Sequence, residues 1–340
     1  MQGGTTFAAP AMKVLIIRFS SIGDIILTSP VVRCLKQQVP DAEIHYLTKR
    51  AFAPLMEHAP YVDRVHVLED NLRAVVGPLK KEKFDLVVDL HHNLRTKRVK
   101  MGLGRPARSF PKLNYEKWVM VNFKKNILPA THIVDRYLST VEHLGVKNDG
   151  QGLDLFIPSE QEVAPGQLPA THRNGYVALC IGAGHATKQL PRHKLVELAG
   201  KLQGPLVVIG GPDDQATGRA IADAVGARAF DATGQFNLMG SASLIRQARA
   251  VVAHDSGAMH MASAFKRPIA SIWGNTIPEF GMGPYIPQHP ERVLISEVKG
   301  LDCRPCSKIG FNQCPRGHFH CMEWQDLDAV AQWVNERAGA

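Results

Sequence analysis

A run of four apolar, mostly β-branched residues, Val14 to Ile17, stands near the start of the chain and ends at a small polar loop. Such a run is typical of a strand that is buried on both faces of a parallel sheet. The loop, Ser20 to Asp24, leads into an apolar stretch of helical spacing, in which Ser29 can cap a helix and Pro30 suits its first turn. The stretch predicts the first βα unit of a doubly wound α/β domain, whose ligands bind beyond the carboxyl ends of the strands.

The same pattern recurs along the chain and predicts two α/β domains. Pro158, Pro165, Gly166 and Pro169 mark the connection between them. We expect a disordered tail at 1–11, a Rossmann-like domain at 12–160, a second at 175–322, and a last helix within 323–340. The predicted strands are Ala42–Thr48, Val62–Leu68, Phe84–Leu90, Tyr176–Ile181, Leu206–Ile209, Ala250–Ala253 and Ile269–Trp273, and the predicted helices include Leu72–Lys81, Ile133–Leu144 and Glu323–Arg337.

The net charge and the hydropathy of the chain indicate what kind of molecule it binds and where in the cell we expect it. The 340 residues carry a net charge of +9, which favours an anionic partner such as a nucleic acid, an acidic membrane or an anionic substrate. No apolar run approaches the roughly 20 residues that span a bilayer, and the first eleven residues lack the features of a signal peptide. We therefore expect a cytoplasmic protein.

The Ser20–Asp24 loop offers a carboxylate beside hydroxyls and a glycine, without the GxGxxG pattern of a dinucleotide site. Asp24 can accept a proton from a bound ligand. The alternative interpretation is that Asp24 caps a helix.

A second loop, Gly182 to Pro191, also follows a predicted strand. Its small residues let a backbone approach a phosphate, and Thr187 and Lys188 add donors. It lacks the order of a P-loop, and an ordinary βα loop with a surface lysine is the alternative.

A third loop, His254 to Ala264, begins at the end of a short strand. Asp255, Ser256 and Gly257 there precede a helix whose amino terminus can bind an anion. His260 lies one turn into that helix, where a structural histidine is the alternative to a ligand contact.

Basic residues are concentrated between His92 and Lys125, with ten Lys or Arg and a single acid, Glu116. Aromatic residues are interleaved among them. The pattern fits contact with phosphate-rich, partly apolar material, and equally a nucleic acid or a solvated surface.

Six cysteines are present, of which Cys34 and Cys180 fall in apolar segments and are expected to be inert. The spacing of the other four leaves a structural Zn²⁺ ion, packed thiols and disulfides open, with His318 and His320 as rival ligands. These four are Cys303, Cys306, Cys314 and Cys321.

Two of these motifs carry a resemblance to a known family. The stretch RFSSIGDIILTSP, at Arg18–Pro30, and the pattern at Asp255, Ser256, Gly257 and His260 resemble the ADP-heptose–lipopolysaccharide heptosyltransferases, glycosyltransferase family nine. The resemblance extends from Met12 over nearly the whole chain. It implies the GT-B fold, two Rossmann-like domains facing each other across a cleft, with a last helix that often crosses back to the first domain.

The resemblance also implies roles for individual residues. Asp24 matches the family's catalytic base in an inverting, metal-independent heptosyl transfer from an ADP-sugar to the lipopolysaccharide inner core. The N-terminal domain meets the acceptor, and the enzyme would be peripheral on the inner face of the cytoplasmic membrane. Implied acceptor-binding residues are Ser21, Gly23, His91 and Arg95; implied donor-binding residues are Thr187, Lys188, Asp213, Met239, Asp255, Ser256, Gly257 and His260.

Some alternatives remain open at this point. A GT-B sugar-nucleotide epimerase would need no lipid acceptor, and a related transferase would use another nucleotide sugar. A nucleic-acid-binding protein would use the basic segment and the cysteines, but the paired polar loops argue against it. Met239 is more typical of a core than of a base contact, and Asp213 stands where the family often has Glu.

Overall fold

The computed structural model describes residues 12–69 and 71–339, so the predicted tail at 1–11 lies outside the described residues. The described chain up to residue 149 contains five strands and seven α-helices. They are β1 (Lys13–Ile17), α1 (Ile22–Ile26), α2 (Ser29–Gln38), β2 (Glu43–Lys49), α3 (Pro54–Glu57), β3 (Arg64–Leu68), α4 (Leu72–Lys81), β4 (Leu86–Asp89), α5 (Leu94–Leu103), β5 (Ala107–Ser109), α6 (Asn114–Phe123) and α7 (Ile133–Leu138).

The described residues from 150 onward contain six strands and six α-helices. They are β6 (Val177–Cys180), α8 (Arg192–Lys201), β7 (Leu206–Ile209), α9 (Gln215–Val225), β8 (Ala229–Asp231), α10 (Leu238–Gln247), β9 (Ala250–His254), α11 (Gly257–Ala264), β10 (Ile269–Trp273), β11 (Val293–Glu297), α12 (His320–Glu323) and α13 (Leu327–Ala338).

Two parallel sheets organise these elements. The first has the order β3-β2-β1-β4-β5 and the second the order β11-β10-β9-β6-β7-β8. Val14–Ile17 is fully buried in the middle of the first sheet, as its apolar run predicts. In the second sheet β6 and β9 are central and completely buried, and they pair in register from Val177 opposite Ala250.

The chain divides into two compact units, each with its own core. Unit 1 contains the residues up to Ser20, Thr28–Pro111 and Val134–Asp149; unit 2 contains Ser21–Leu27, Lys112–Ile133 and the chain from Gly150 onward. The predicted boundary divides the sequence once, near 160–175. The observed division instead assigns α1 and α6 to unit 2, since each packs on elements of that unit.

The core of each unit lies between its sheet and its helices. In unit 1, Leu15 and Ile17 of β1 pack with Leu79 of α4 and Val99 of α5. In unit 2, Val330 and Val334 of α13 join the core around β6 and β9. The crossing of the last helix to the N-terminal domain, which the resemblance implies, stays a prediction. Among the described residues, no helix combines the length and the apolarity needed to span a membrane.

Candidate functional site

The loops predicted to bind ligand in the second half of the chain meet at one edge of the second sheet. Strands β6, β7, β9 and β10 are parallel, so their carboxyl ends lie side by side. The loops after β6, β9 and β10 carry Lys188, Asp255 and Thr276. The carboxyl edge of a parallel sheet is where doubly wound folds bind their ligands.

An ion pair joins two of these loops. Lys188 Nζ lies 2.6 Å from Asp255 Oδ2, and both side chains are largely shielded from solvent. The hydroxyl of Thr276 donates a hydrogen bond of 2.7 Å to the same carboxylate oxygen. A lysine ammonium has three N–H donors, so Lys188 can hold Asp255 and still bind an anion.

The contact of α1 with α11 brings the β1–α1 loop to the same place. A Cβ atom on Gly23 would lie 2.4 Å from Cδ2 of His260, and one on Gly257 would lie 2.9 Å from Cβ of Ile22. Both distances are too short for any larger residue without displacement. Two glycines therefore let the amino-terminal ends of α1 and α11 approach closely. This places Asp24 in unit 2, near His260 and Asp255.

Gly23, which the resemblance places among the acceptor-binding residues, thus has a packing role in the structure. Ser21 is also engaged within its own helix. Its backbone N–H and its hydroxyl donate to Asp24 Oδ2, at 3.2 and 2.8 Å. The helix-capping interpretation of Asp24 is therefore realised in the structure, and the cap also fixes where the carboxylate lies.

His260 is a neutral imidazole at neutral pH. Burial lowers its pKa to about 4, although the carboxylates of Asp255 and Asp24 act in the opposite direction. Within the described part of the chain, His260 Nδ1 and Ser256 Oγ are buried and have no hydrogen-bond partner. Unpaired polar atoms are costly when they are buried, so their presence at the amino terminus of α11 indicates a place for a polar ligand.

His254, at the end of β9, supports the site without reaching it. Its Nε2 accepts a hydrogen bond of 2.9 Å from the backbone N–H of Leu190. Burial lowers the pKa of His254 to about 4, so the ring stays neutral and keeps this acceptor. The interaction ties the loop that carries Lys188 to β9. The sequence motif contained His254, but its role depends on a partner 64 residues away.

Thr187 has protein partners where a donor contact was predicted. Its hydroxyl donates to Asn275 Oδ1 at 3.1 Å and accepts from the backbone N–H of Phe311 at 2.8 Å. The residue is 1% exposed. Thr187 therefore anchors its loop, and its direct contact with a donor stays a prediction.

Arg304 is a supporting residue that no sequence motif indicates. Its side chain donates to the carbonyl of Thr276 at 2.8 Å and lies 2.7 Å from Glu297, with almost no exposure. Because the hydroxyl of Thr276 holds Asp255, Arg304 stabilises the loop beneath the Lys188–Asp255 pair.

The acid after β7 that faces the sheet edge is Asp214. Asp213 is exposed, whereas Asp214 Oδ2 accepts a 2.8 Å hydrogen bond from Gly211 N–H. A Cβ atom on Gly182 would lie 2.7 Å from this oxygen. Asp214 also lines a pocket of about 510 Å³ together with Gln189 and Thr217. Met239 is 1% exposed, in keeping with the core alternative.

The two remaining predicted acceptor residues lie in unit 1. His91 follows β4, where its backbone N–H donates to Asp89 Oδ1 at 3.1 Å and its ring lies 5.2 Å from that of Phe19. Arg95 is exposed on α5, beside Leu94, Lys97 and Arg98. Both are near the carboxyl edge of the first sheet, as the sequence predicts.

The cysteines are all free thiols. Cys303 Sγ lies 3.8 Å from His318 Nε2. The pKa of Cys306 rises to about 11, first through burial and then through the neighbouring Cys303. Burial is also the first cause that raises the pKa of Cys321 to about 12.

Among the described residues, one group of side chains has the spacing of metal ligands, namely His45, His66 and Glu82 in unit 1. His45 Nδ1 and His66 Nε2 are 2.8 Å apart. Glu82 already pairs with Lys13 and Arg64, at 3.2 and 2.7 Å. Glu82 therefore already has two cationic partners, and burial lowers the pKa of His66 to about 4, so its ring is neutral.

Comparison with known protein families identifies the family of the chain. The family model described as glycosyltransferase family 9 (heptosyltransferase) matches residues 72–309, well over half of the chain. The chain belongs to glycosyltransferase family 9. It is a glycosyltransferase, and both the predicted family and the predicted enzyme class are confirmed.

Individual relatives agree with this assignment. Lipopolysaccharide heptosyltransferase 2 of Escherichia coli K12 is 25% identical over 296 residues, covering 79% of this chain and 84% of that protein. A family 9 glycosyltransferase of Veillonella parvula has a TM-score of 0.72 at 22% identity, with 96% of each chain covered. The E. coli heptosyltransferase WaaC, solved with ADP, has a TM-score of 0.68 at 19% identity, with 96% and 100% covered. The predicted GT-B fold is confirmed.

Proposed function

We propose that this glycosyltransferase moves a heptose from ADP-heptose to a hydroxyl of the lipopolysaccharide inner core, with inversion at the anomeric carbon. One observation carries the proposal: a carboxylate, a lysine and a helix amino terminus with two unpartnered polar atoms meet in unit 2. The carboxylate can accept the proton of the attacking hydroxyl, and the lysine and the helix amino terminus can bind a diphosphate. Relatives named as lipopolysaccharide heptosyltransferases, and the ADP bound to WaaC, support the choice of substrates.

In the proposed reaction, Asp24 accepts the proton of the acceptor hydroxyl as its oxygen attacks the anomeric carbon. The bond from that carbon to the diphosphate oxygen breaks, and ADP leaves with the electron pair. Its negative charge is stabilised by Lys188 and by the N–H groups at the amino terminus of α11. Because these groups supply the positive charge, we propose that no catalytic metal ion is required.

The side chains at the amino terminus of α11 complete the donor site. Ser256 Oγ and His260 Nδ1 are the unpartnered atoms there, and each can hydrogen-bond a phosphate or sugar oxygen. Since His260 is neutral, it contributes a hydrogen bond and no full charge. We assign Asp214 to the nucleoside side of the donor, in place of the exposed Asp213.

Acceptor recognition is assigned to unit 1, through His91 and Arg95, and to Ser21 at the start of α1. The exposed cations of α5 fit an acceptor that carries phosphates and acidic sugars. The same charges favour a peripheral position at the inner face of the cytoplasmic membrane.

A structural zinc ion at Cys303, Cys306, Cys314 and Cys321 is a further proposal. The four cysteines, all within the described part of the chain, lie near one another, but no three of their sulfur atoms are within 4.8 Å of each other, so zinc binding would draw the sulfurs together. Four thiolates are a usual ligand set for structural zinc. About one zinc ion per chain after purification would support the site, whereas metal-free protein with four titratable thiols would contradict it.

The substrates can be tested in two steps. Calorimetry with a panel of nucleoside diphosphates should select ADP, and ADP-heptose should then turn over with core-truncated lipopolysaccharide in the presence of EDTA. Release of free sugar without an acceptor would indicate the epimerase instead. Binding of another nucleoside diphosphate in preference to ADP would indicate a different nucleotide sugar.

A further inference from the structure

Helix α6 carries three aromatic side chains that face solvent. Tyr115, Trp118 and Phe123 are 67%, 52% and 65% exposed. Their rings contact one another: Tyr115 and Trp118 are stacked with centroids 6.4 Å apart, and Trp118 and Phe123 meet edge to face at 5.3 Å. We call these three residues the aromatic face. Clustered exposed aromatics are uncommon on a soluble surface and mark a place where something binds.

The opposite side of α6 is fixed to unit 2. The ammonium of Lys117 lies 5.7 Å from the ring centre of Phe280. Just after the helix, Lys124 Nζ donates to the carbonyls of Pro305 and Val121, each at 2.7 Å. The helix is therefore held from its inner side and along its end, and this leaves the aromatic face outward.

The surroundings of the aromatic face are basic. Residues 112–125 contain four lysines and one acid, Glu116; Lys117 and Lys124 make the contacts described above, and Lys112 and Lys125 flank the helix. Another exposed tryptophan of unit 2, Trp324, offers a contrast: it is 59% exposed, stacks on His320, and has Glu323, Asp326 and Asp328 as near neighbours in sequence. The charged residues nearest in sequence are thus mostly lysines for Trp118 and acids for Trp324.

We propose that the aromatic face docks on an anionic lipid bilayer. Tyrosine and tryptophan partition to the interface between headgroups and acyl chains, and a short helix with lysines beside its apolar face lies in the plane of that interface. Lysines add attraction to anionic headgroups. A protein partner fits less well, since the cores of protein interfaces are depleted of lysine.

This inference rests on the proposed function, because that function gives the enzyme a lipid-anchored acceptor. The two can still fail separately. The aromatic face would bind the bilayer, whereas the residues at the carboxyl edge of the second sheet would carry out the transfer. Vesicle binding can therefore be measured without donor or acceptor, and turnover can be measured with a delipidated core oligosaccharide.

The test uses the full chain and vesicles of phosphatidylcholine with or without phosphatidylglycerol. We expect wild-type protein to co-sediment with the anionic vesicles, and the double variant Trp118→Ala, Phe123→Ala to bind them at least about tenfold more weakly. The matched control Trp324→Ala should bind within about twofold of wild type. Brominated lipids should quench fluorescence in wild type and Trp324→Phe, and much less in Trp118→Phe.

Other results would overturn the proposal. Equal vesicle binding by the double variant and wild type would remove the aromatic face from docking. A loss of turnover on the delipidated oligosaccharide in that variant would make the face part of the acceptor site. In sedimentation velocity, wild type could instead be a dimer and the double variant a monomer, with no vesicle binding by either. That result would make the aromatic face a contact between copies of this chain.

Discussion

The two carboxylates of the site, Asp24 and Asp255, are positioned by different contacts, the first by a near neighbour in sequence and the second by residues of two other loops. Asp24 Oδ2 accepts from the backbone N–H and the hydroxyl of Ser21, three residues earlier in the chain. Asp255 Oδ2 accepts from the Thr276 hydroxyl and pairs with the Lys188 ammonium at 2.6 Å. An ammonium at this distance compensates the charge of a carboxylate far more than a hydroxyl does.

The difference assigns separate tasks to two acids that lie near the same histidine. Asp255 fixes the direction of Lys188 toward the donor. The helix cap defines the position of the Asp24 carboxylate, and a proton acceptor needs such a defined position. Two aspartates therefore take different roles, one as the base and the other as the partner that orients Lys188, because their contacts differ.

The largest expected effect follows from the replacement Asp24→Asn. The amide oxygen still accepts from Ser21, so the cap and the position are kept, but the side chain cannot take a proton. We expect kcat to fall at least about 10²-fold with nearly unchanged donor affinity. Steady-state kinetics and calorimetry would measure the two quantities.

Asp255→Asn is the matched comparison, because it keeps an acceptor for Thr276 and leaves Lys188 without its ion pair. It should act on donor affinity, with kcat lowered less than about tenfold. If Asp255→Asn lowered kcat as much as Asp24→Asn does, the proposed division of roles between the two acids would be wrong.

A smaller effect is expected from Lys188→Ala. Loss of a charge-assisted hydrogen bond to the diphosphate should weaken ADP binding by about 1–3 kcal/mol, roughly 5–150-fold. Adenosine, which has no phosphate, should bind as it does to wild type. Lys194→Ala, which removes a lysine paired with Glu197 on the surface of α8, is the control. Equal weakening of ADP and adenosine by Lys188→Ala would indicate a damaged fold.

The close approach of α1 to α11 is tested by Gly23→Ala. The new methyl group would meet His260, so α1 must shift, and with it Asp24. We expect about 1–3 kcal/mol of lost stability from overpacking and a fall in kcat of about tenfold. Gly200→Ala, in the exposed part of α8 with nothing near the added methyl, should keep activity and not lower the melting temperature. Wild-type kcat in Gly23→Ala would show that this contact does not position Asp24.

The sequence predicted the central strands and the loops that follow them. Strands β1, β4, β7, β9 and β10 are short apolar runs buried on both faces, and each ends at a polar loop. Such strands can be recognised from sequence, because a strand that is buried on both faces has a continuous run of apolar residues. The short edge strands β5 and β8 were not predicted, since each has three partly or fully exposed residues with no apolar pattern.

The candidate site was harder to predict wherever a role depends on tertiary packing. The contact of Gly23 with His260 joins residues more than two hundred positions apart, and no local pattern indicates it. Asp213 and Asp214 differ by one position in a tight turn, yet only Asp214 turns toward Gly182. The break between α1 and α2, which the sequence suggested as one helical stretch, also follows from packing, because α1 belongs with α11.

The smallest expected effect concerns unit 1, which contains neither acid. Arg95, Lys97 and Arg98 are exposed on α5, so replacing all three by Glu should leave the fold and the site of unit 2 unchanged. Each cation near an anionic acceptor contributes about 1 kcal/mol, and salt screens it. The reversal should raise the acceptor KM several-fold at low salt and less at high salt, while ADP affinity stays the same. The triple Gln variant should lie between the Glu variant and wild type, because it removes the attraction without adding repulsion. If the Glu variant keeps the wild-type acceptor KM at low salt, α5 is a solvated face, and acceptor recognition must be sought beside Asp24 in unit 2.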